Sequence, residues 1–386
     1  MRKALISGLK AYRSGVRYWR NLNRVSDEDV AAKRIVSGEA WDEFCDTLKA
    51  AGAAVSGLDA PLDPLTQAEG YRYLSRLARA GLEAFLEHAD PRAPELRRMV
   101  HETVKMGADN PDNHYLNATI SGEHEYRIRG RRGSVHFLTF STQKGGYGQG
   151  LGLPPTGFLS SEQLELGADG ELEIAVSCER RAGNWLPMEP ETGLLMVRQT
   201  FLDRAHETPA QLVIERVGGD GRPSPLTAAT VDEGLQGAAQ LVAGASMMFA
   251  TWARDLKRHT NRLPRFDPAK STAAGGDPNI AYYHSYWRLE PDEALVIEAR
   301  PPECIDWNFQ LNNHWMESLD YRYFTIHINK HTAAYEPDGS VRVVVAHRDP
   351  GMPNWIDTVG HPHGTMCWRW IHAADHPEPR TRVVKL

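Results

Sequence analysis

Along residues 26–107 apolar side chains recur at helical intervals. Trp41, Phe44 and Leu48 mark one apolar face, and Leu74, Leu77, Ala78, Gly81, Leu82, Phe85 and Leu86 mark a second. Pro61, Pro64, Pro91 and Pro94 punctuate the segment, so it reads as several helices rather than one. From Asn110 the period changes to two, and short alternating stretches separated by Gly and Asp turns run to about Glu215. Residues 216–280 hold a Gly- and Pro-rich loop, a helix and a polar linker ending at Gly275 and Gly276; alternation resumes at Tyr282. The helix covers the uncharged stretch 235–253, with Thr230 and Glu233 as its expected capping box. Its Ala, Gly, Gln and Ser content predicts a buried soluble helix rather than a membrane span.

The two alternating stretches read as copies of one another. Residues 120–139 (ISGEHEYRIRGRRGSVHFLT) lie over residues 289–308 (LEPDEALVIEARPPECIDWN) at a constant offset of 169, and Asp169-Gly170 lies over Asp338-Gly339 at the same offset. One extra residue brings Asn184 and Trp185 over Asn354 and Trp355; one more brings Gly193 over Gly364 and Arg198 over Arg369. The expected fold is α+β, a helical N-terminal region followed by two related antiparallel jelly-roll-like β units. Its divisions are 1–108 (helical N-terminal region), 109–215 (first β unit), 216–280 (helical insertion and linker) and 281–386 (second β unit).

Length and charge sharpen this picture. At 386 residues the chain exceeds the roughly 250–300 at which a single core stops growing. Hydrophobic content of 41% with 24% charged residues excludes a mainly disordered, collagen-like or polytopic membrane chain. A net charge of −6 leaves no basic domain to neutralise phosphates, so nucleic acid is not an expected partner. Residues 1–24 hold seven bases and no acid, which leaves −13 on the remainder. Leu5, Leu9, Tyr12, Val16 and Trp19 recur there at helical spacing, so this leader either docks on the acidic body or makes a peripheral membrane contact. Lys10 breaks its apolar run too early for a signal peptide. Cys45, Cys178, Cys304 and Cys367 are scattered, which suits reduced thiols and a cytoplasmic location.

If the halves share a fold, positions kept in both serve folding, and ionisable residues present in only one are candidates for chemistry. Asn184/Asn354 and Trp185/Trp355 then read as structural, and Arg198/Arg369 as an ion pair within each unit or an anion site. In HRDPGMPNWIDTVGHPHGTMCWRW three His and two Asp fall within 17 positions of the second copy. His347, Asp349, Asp357 and His361 are the candidate catalytic residues, through imidazole and carboxylate acid/base chemistry. His361 and His363, alternate positions of an extended segment, are candidate ligands for a divalent metal. The plain alternative is a polar rim of loop histidines.

A second cluster lies upstream. Residues 321–328 read as a strand with Tyr321, Tyr323, Thr325 and His327 on one face. With Trp307, Asn308, Gln310 and Trp315 nearby, it offers rings and amides to a hydroxylated ligand, or forms a half-solvated sheet face. Asp112, His114 and Tyr115, where the helical region meets the first sheet, and Arg369 complete the candidate substrate-binding set. Nucleotide-binding and GxSxG motifs are missing, so no nucleotide cofactor is expected. The Gly-rich run 145–152 reads as a mobile loop over a pocket or as a plain connection.

The stretches NPDNHYLNATISGEHEYRIRG, GNWLPMEPETGLLMVRQTFLD and DPGMPNWIDTVGHPHGTMCWRW resemble bacterial proteins carrying the domain of unknown function numbered 1214. The resemblance covers most of the chain from about residue 40, and GNWL and DPGxxNWxDTxGH are its most specific parts. It implies a sandwich similar to the peptide N-glycosidase F type and supplies no catalytic residues. Relatives in bacteria that degrade steroids, terpenoids and aromatics imply hydrophobic small-molecule catabolism. Two functions follow as expectations. One is a cytosolic hydrolase, lyase or isomerase acting on a small hydroxylated or carbonyl-bearing, partly apolar substrate. The other is a non-catalytic glycan- or lipid-binding sandwich.

Overall fold

The computed structural model describes residues 26–146 and 152–386. The cationic leader and residues 147–151 of the Gly-rich run lie outside the described residues. Ser26 and Asp29 form a reciprocal capping box on α1 (Asp27–Ser37), and Gly38, at φ 81°, ends that helix in the left-handed region. α2 (Glu39–Ala51) and the short α3 (Ala53–Ser56) follow; Asp63 then caps α4 (Pro64–Leu82), whose first position is a proline. α4 runs into a π-helical turn, Glu83–Glu87. Helix stops there rather than near residue 107: past Pro91 and Pro94 the chain crosses to the β part as turns and isolated bridges.

The long α5 (Ala228–Leu256) is capped by Thr227 with Thr230, three residues earlier than the expected Thr230/Glu233 pair. Its small residues let other helices approach closely. A Cβ on Gly81 would lie 3.0 Å from the Ala238 backbone, and one on Gly237 would lie 2.7 Å from the Phe85 ring. No helix among the described residues is long and apolar enough to cross a membrane. A short α6 (Pro268–Ala273) precedes the second unit. All four cysteines are free.

The first unit holds β1 (Asn113–Thr119), β2 (Tyr126–Arg131), β3 (Phe137–Lys144), β4 (Pro155–Ser160), β5 (Glu171–Ser177), β6 (Trp185–Pro187), β7 (Thr192–Thr200) and β8 (Gln211–Arg216). The second holds β9 (Ile280–Arg288), β10 (Glu293–Ala299), β11 (Asp306–Leu311), β12 (His327–Asn329), β13 (Val341–Ala346), β14 (Trp355–Asp357), β15 (His363–Ile371) and β16 (Arg380–Lys385). The sheets run β1-β7-β3-β4 and β6-β5-β2-β8 in the first unit, β9-β15-β11-β12 and β14-β13-β10-β16 in the second. Each strand is replaced by the one eight later, so the duplication is complete. Pairing is antiparallel except for the short β5–β6 and β13–β14 contacts, which are parallel.

Each unit buries one face of each sheet between its layers. Ile128, Phe140, Ile174 and Val197 fill the first sandwich; Ile297, Phe309, Val343 and Trp368 fill the second at corresponding positions. Trp307 stacks on Trp368 at 5.0 Å inside this second core, which removes it from the ligand-contact set. Residues 321–326 form turns rather than a strand, and only His327–Asn329 pairs with β11. Tyr323 and Phe324 are exposed there, so the expected four-residue polar face does not form.

Asn184 and Asn354 form identical clamps. Asn184 Oδ1 accepts from Glu165 N while Nδ2 donates to the Glu165 and Glu173 carbonyls. Asn354 repeats this with Ala334 N and the Ala334 and Arg342 carbonyls. Polar ties also join the layers. The buried Asp112 carboxylate accepts from Asn308 Nδ2 (2.9 Å) and Asn329 Nδ2 (3.0 Å) and meets His327 Nε2 at 3.1 Å, fastening the first unit to the second. His361 Nε2 meets Glu69 of α4 at 3.2 Å, and His363 Nε2 lies 3.5 Å from the Asp63 cap.

Two outcomes follow from these ties. Asn354→Ala removes three hydrogen bonds and is expected to cost about 2–3 kcal/mol in urea unfolding; a loss below about 0.5 kcal/mol would show that the clamp is dispensable. His361 is buried, which opposes its charged form, but Glu69 and the Thr358 carbonyl outweigh burial and hold its pKa above the ordinary value. The contact therefore contributes fully below about pH 6.5, the unfolded value, and is lost as pH rises through the folded one. Glu69→Gln is expected to cost about 1–3 kcal/mol near pH 5.5 and clearly less near pH 8.5. Equal losses at both pH values would rule out a protonated His361.

Candidate ligand cavity

Strands β1 and β7 of the first unit and β9 and β15 of the second line one cavity of about 400 Å³, roofed by α5 and the π-helical turn. Apolar side chains form most of the wall: Phe85, Met99 and Met106 from the helical region, Met196 from β7, Leu241 and Phe249 from α5. The π-helical turn brings Phe85 against Gly237, where a side chain would collide, so local backbone irregularity shapes the roof.

One end is polar, and both units supply it alike. Tyr115 pairs with Arg198 across β1 and β7, and Tyr282 pairs with Arg369 across β9 and β15. The Tyr115 hydroxyl accepts from Asn110 N at 2.9 Å and the Tyr282 hydroxyl from Asp277 N at 3.2 Å. Each donor lies five residues upstream in a matching turn, Asn110-Pro111-Asp112 or Asp277-Pro278-Asn279. Burial raises the pKa of both phenols, so both are protonated donors at neutral pH.

The arginines differ in their surroundings. Arg369 donates through Nη1 to Asn308 Oδ1 (3.1 Å) and Gln310 Oε1 (2.5 Å), and through Nη2 to the Ala108 carbonyl. Arg198 donates through Nη2 to the Gly275 carbonyl. Neither closes the carboxylate ion pair within its own unit that the repeat suggested. His284, on β9 beside Tyr282, is fully buried and its Nδ1 has no partner. Burial and Arg369 push its pKa down to about 3, so the ring is neutral.

The residues expected from sequence fall in several places. Tyr115 and Arg369 line the cavity, and Asn308 and Gln310 orient Arg369 from behind. Asp112 and His327 form the tie between units, as described. His114 sits outside it, its Nε2 2.8 Å from Arg204 Nη1, with burial and Arg204 pushing its pKa down to about 4. Tyr321 lies under Lys105 Nζ, 4.6 Å from the ring centre. Trp315 is buried, donating to the Thr66 carbonyl at 2.8 Å.

The His/Asp run does not converge on the cavity. His347 spends Nδ1 on Thr358 Oγ1 (2.8 Å) and Nε2 on the Leu289 carbonyl (3.2 Å). Asp349 and Asp357 cap the backbone N–H groups of Gly351 and Val359. His361 meets Thr358 O and Glu69, whereas His363 meets Tyr286 Oη, which also bonds His314. No group of three or more His, Cys, Asp or Glu side chains among the described residues has the geometry to hold a metal. His361 and His363 instead face different side chains of the α4 start.

Tyr282 and His284 at the polar end carry no mark in the sequence reading, and Arg198 enters it only as the repeat partner of Arg369. A signal existed: aligning the Asn110 and Asp277 turns shifts the offset to 167 and brings Tyr115 over Tyr282.

No family model and no curated protein matches the chain. The VPA0106 protein from Vibrio parahaemolyticus aligns at TM-score 0.49 and 13% identity, covering 82% of this chain and 98% of that one. A crystal structure of an uncharacterised protein from Burkholderia cenocepacia aligns at TM-score 0.90 and 54% identity, covering 92% of this chain and 99% of that one. At that identity and coverage, the chain belongs to the same family as the Burkholderia protein.

Proposed function

We propose that this protein binds a small, largely apolar molecule in the cavity between its two β units. The observation that carries this reading is the shape and lining of that cavity. About 400 Å³ lies within the range of small-ligand sites, roughly 300–1,000 Å³, and its wall is mostly apolar with polar groups gathered at one end. Met99, Met106 and Met196 in the wall adapt to irregular skeletons. Steroid, terpenoid and aromatic bodies, the class implied by the resemblance to domain 1214 proteins, suit such a wall. A broader depression of about 800 Å³, bounded by Glu162, Arg265, Glu303 and His376, is open and polar, so it would exclude little water.

Binding is favoured over acid/base catalysis by a magnitude. A general base works best with a pKa near the operating pH, and the cavity's buried imidazole, His284, is pushed down to about 3. It suits a hydrogen bond to a ligand better than proton abstraction.

Gly193, on β7 at the cavity rim, provides the test. A Cβ there meets no atom of the described residues within 4 Å, so bulk can grow into the opening without moving their backbone. With adamantane-1-methanol as a neutral probe in titration calorimetry, Gly193→Trp is expected to weaken binding about tenfold or more, with the melting temperature held within about 3 °C. Unchanged affinity, or no binding to the wild type, would overturn the reading.

A further inference from the structure

We propose that the molecule taken by this cavity carries a carboxylate, and that Arg198 is the residue that holds it. This rests on the cavity being a binding site and adds the chemistry of the ligand's head. The two units carry one arrangement in two copies that differ around their arginines. In the second unit Asn308 lies across from Arg369 on β11, with Gln310 two residues on; both turn amide oxygens to the guanidinium, and the Ala108 carbonyl supplies a third acceptor. In the first unit the residues in those positions on β3 are Thr139, across from Arg198, and Ser141. Their side chains are too short to repeat the amide contacts, and Ser141 Oγ has no partner. Arg198 therefore keeps one protein acceptor, the Gly275 carbonyl, for five N–H donors, although it is buried.

Among the described residues Arg198 closes no ion pair, and its acceptor is a carbonyl. Every acceptor that the two guanidiniums meet is neutral. Two acids lie near the phenols at this end. Asp109 accepts at both oxygens, from Ser318 N (3.0 Å) and Ser318 Oγ (2.8 Å), and Asp277 accepts at Oδ1 from Asn279 N (2.9 Å). Tyr115 and Tyr282 each accept a backbone N–H, which leaves their hydroxyl protons to donate. The polar end is thus built of cations and donors in a largely apolar space, where charge is poorly screened. A carboxylate offers about four acceptor sites and the missing negative charge. A hydroxyl offers two acceptor lone pairs and no charge.

The test compares matched acids and alcohols on the full chain. Titration calorimetry with adamantane-1-carboxylate against adamantane-1-methanol, and decanoate against decanol, is expected to show the acids binding about 10- to 100-fold tighter. Arg198→Gln should abolish that preference, weakening the acids about tenfold or more beyond any loss for the alcohols. Arg198→Lys, which keeps the charge but not the fork, should retain part of it and covers the case in which the glutamine variant fails to fold. Equal binding of acid and alcohol by the wild type, with Gly193→Trp still blocking both, would overturn the carboxylate assignment and spare the cavity reading. Acid preference surviving in both Arg198 variants would also overturn it. Binding of neither probe would remove both proposals together.

Discussion

The fold depends on how two β-sandwiches bury the polar faces they turn toward each other. A sheet face that leaves water must satisfy its charges, because an unpaired buried ion costs several kcal/mol. Arg369 meets that demand with two side-chain amides and a carbonyl, and Asp112 meets it with two amides and an imidazole. Asn308 serves both, giving its oxygen to Arg369 and its nitrogen to Asp112 and Asn110. One residue of β11 therefore couples the orientation of the units to the position of a cation at the cavity. A substitution there would disturb packing and site together.

Duplication explains why the cavity exists and why its ends differ. Two copies of one sheet bring the same Tyr–Arg pair to the same space, so the polar end begins as an approximately symmetric arrangement. The copies then diverge at short range. Asn117 of the first unit and His284 of the second occupy the same register position, two residues beyond the paired tyrosine. Thr139 and Ser141 stand where Asn308 and Gln310 saturate the second arginine. One arginine has become part of the scaffold, and its twin keeps donors free at the wall.

Much of this was legible in the sequence where physics is local. Strand alternation, Asp-Gly turns and the recurring Asn-Trp pairs placed the two units correctly, and the Asn184 and Asn354 amides do clamp backbone in both. Asn308 and Gln310 stood out as amides beside aromatic rings, Tyr115 as an ionisable group where the helical region meets the first sheet, and Arg369 through its repeat partner Arg198. What was illegible depended on tertiary contact. The 321–328 run alternates like a strand, yet its residues turn back beside β11, and only His327 and Ile328 among them pair. Trp307 and Trp315 carry no sequence mark that separates a buried ring from a ligand-stacking one. Arg198 could be weighed only once its missing acceptors were seen.

The His/Asp run of the second unit teaches the more general point. Its density on one side of the duplication looked like chemistry added to one copy. Yet the asymmetry has a packing cause: the helical layer docks on one unit. Tyr286, Trp315, Met316 and Cys367 of the second unit share an apolar cluster with α4 and α5, and no strand residue of the first unit joins it. The histidines lie at the edge of that docking surface, where His361 reaches Glu69 and His363 reaches Asp63. Residues unique to one copy therefore mark what that copy alone must touch, whether a helix or a ligand. An unmatched group points to function where its protein partners are too few to account for it, as with Arg198 and its single carbonyl acceptor.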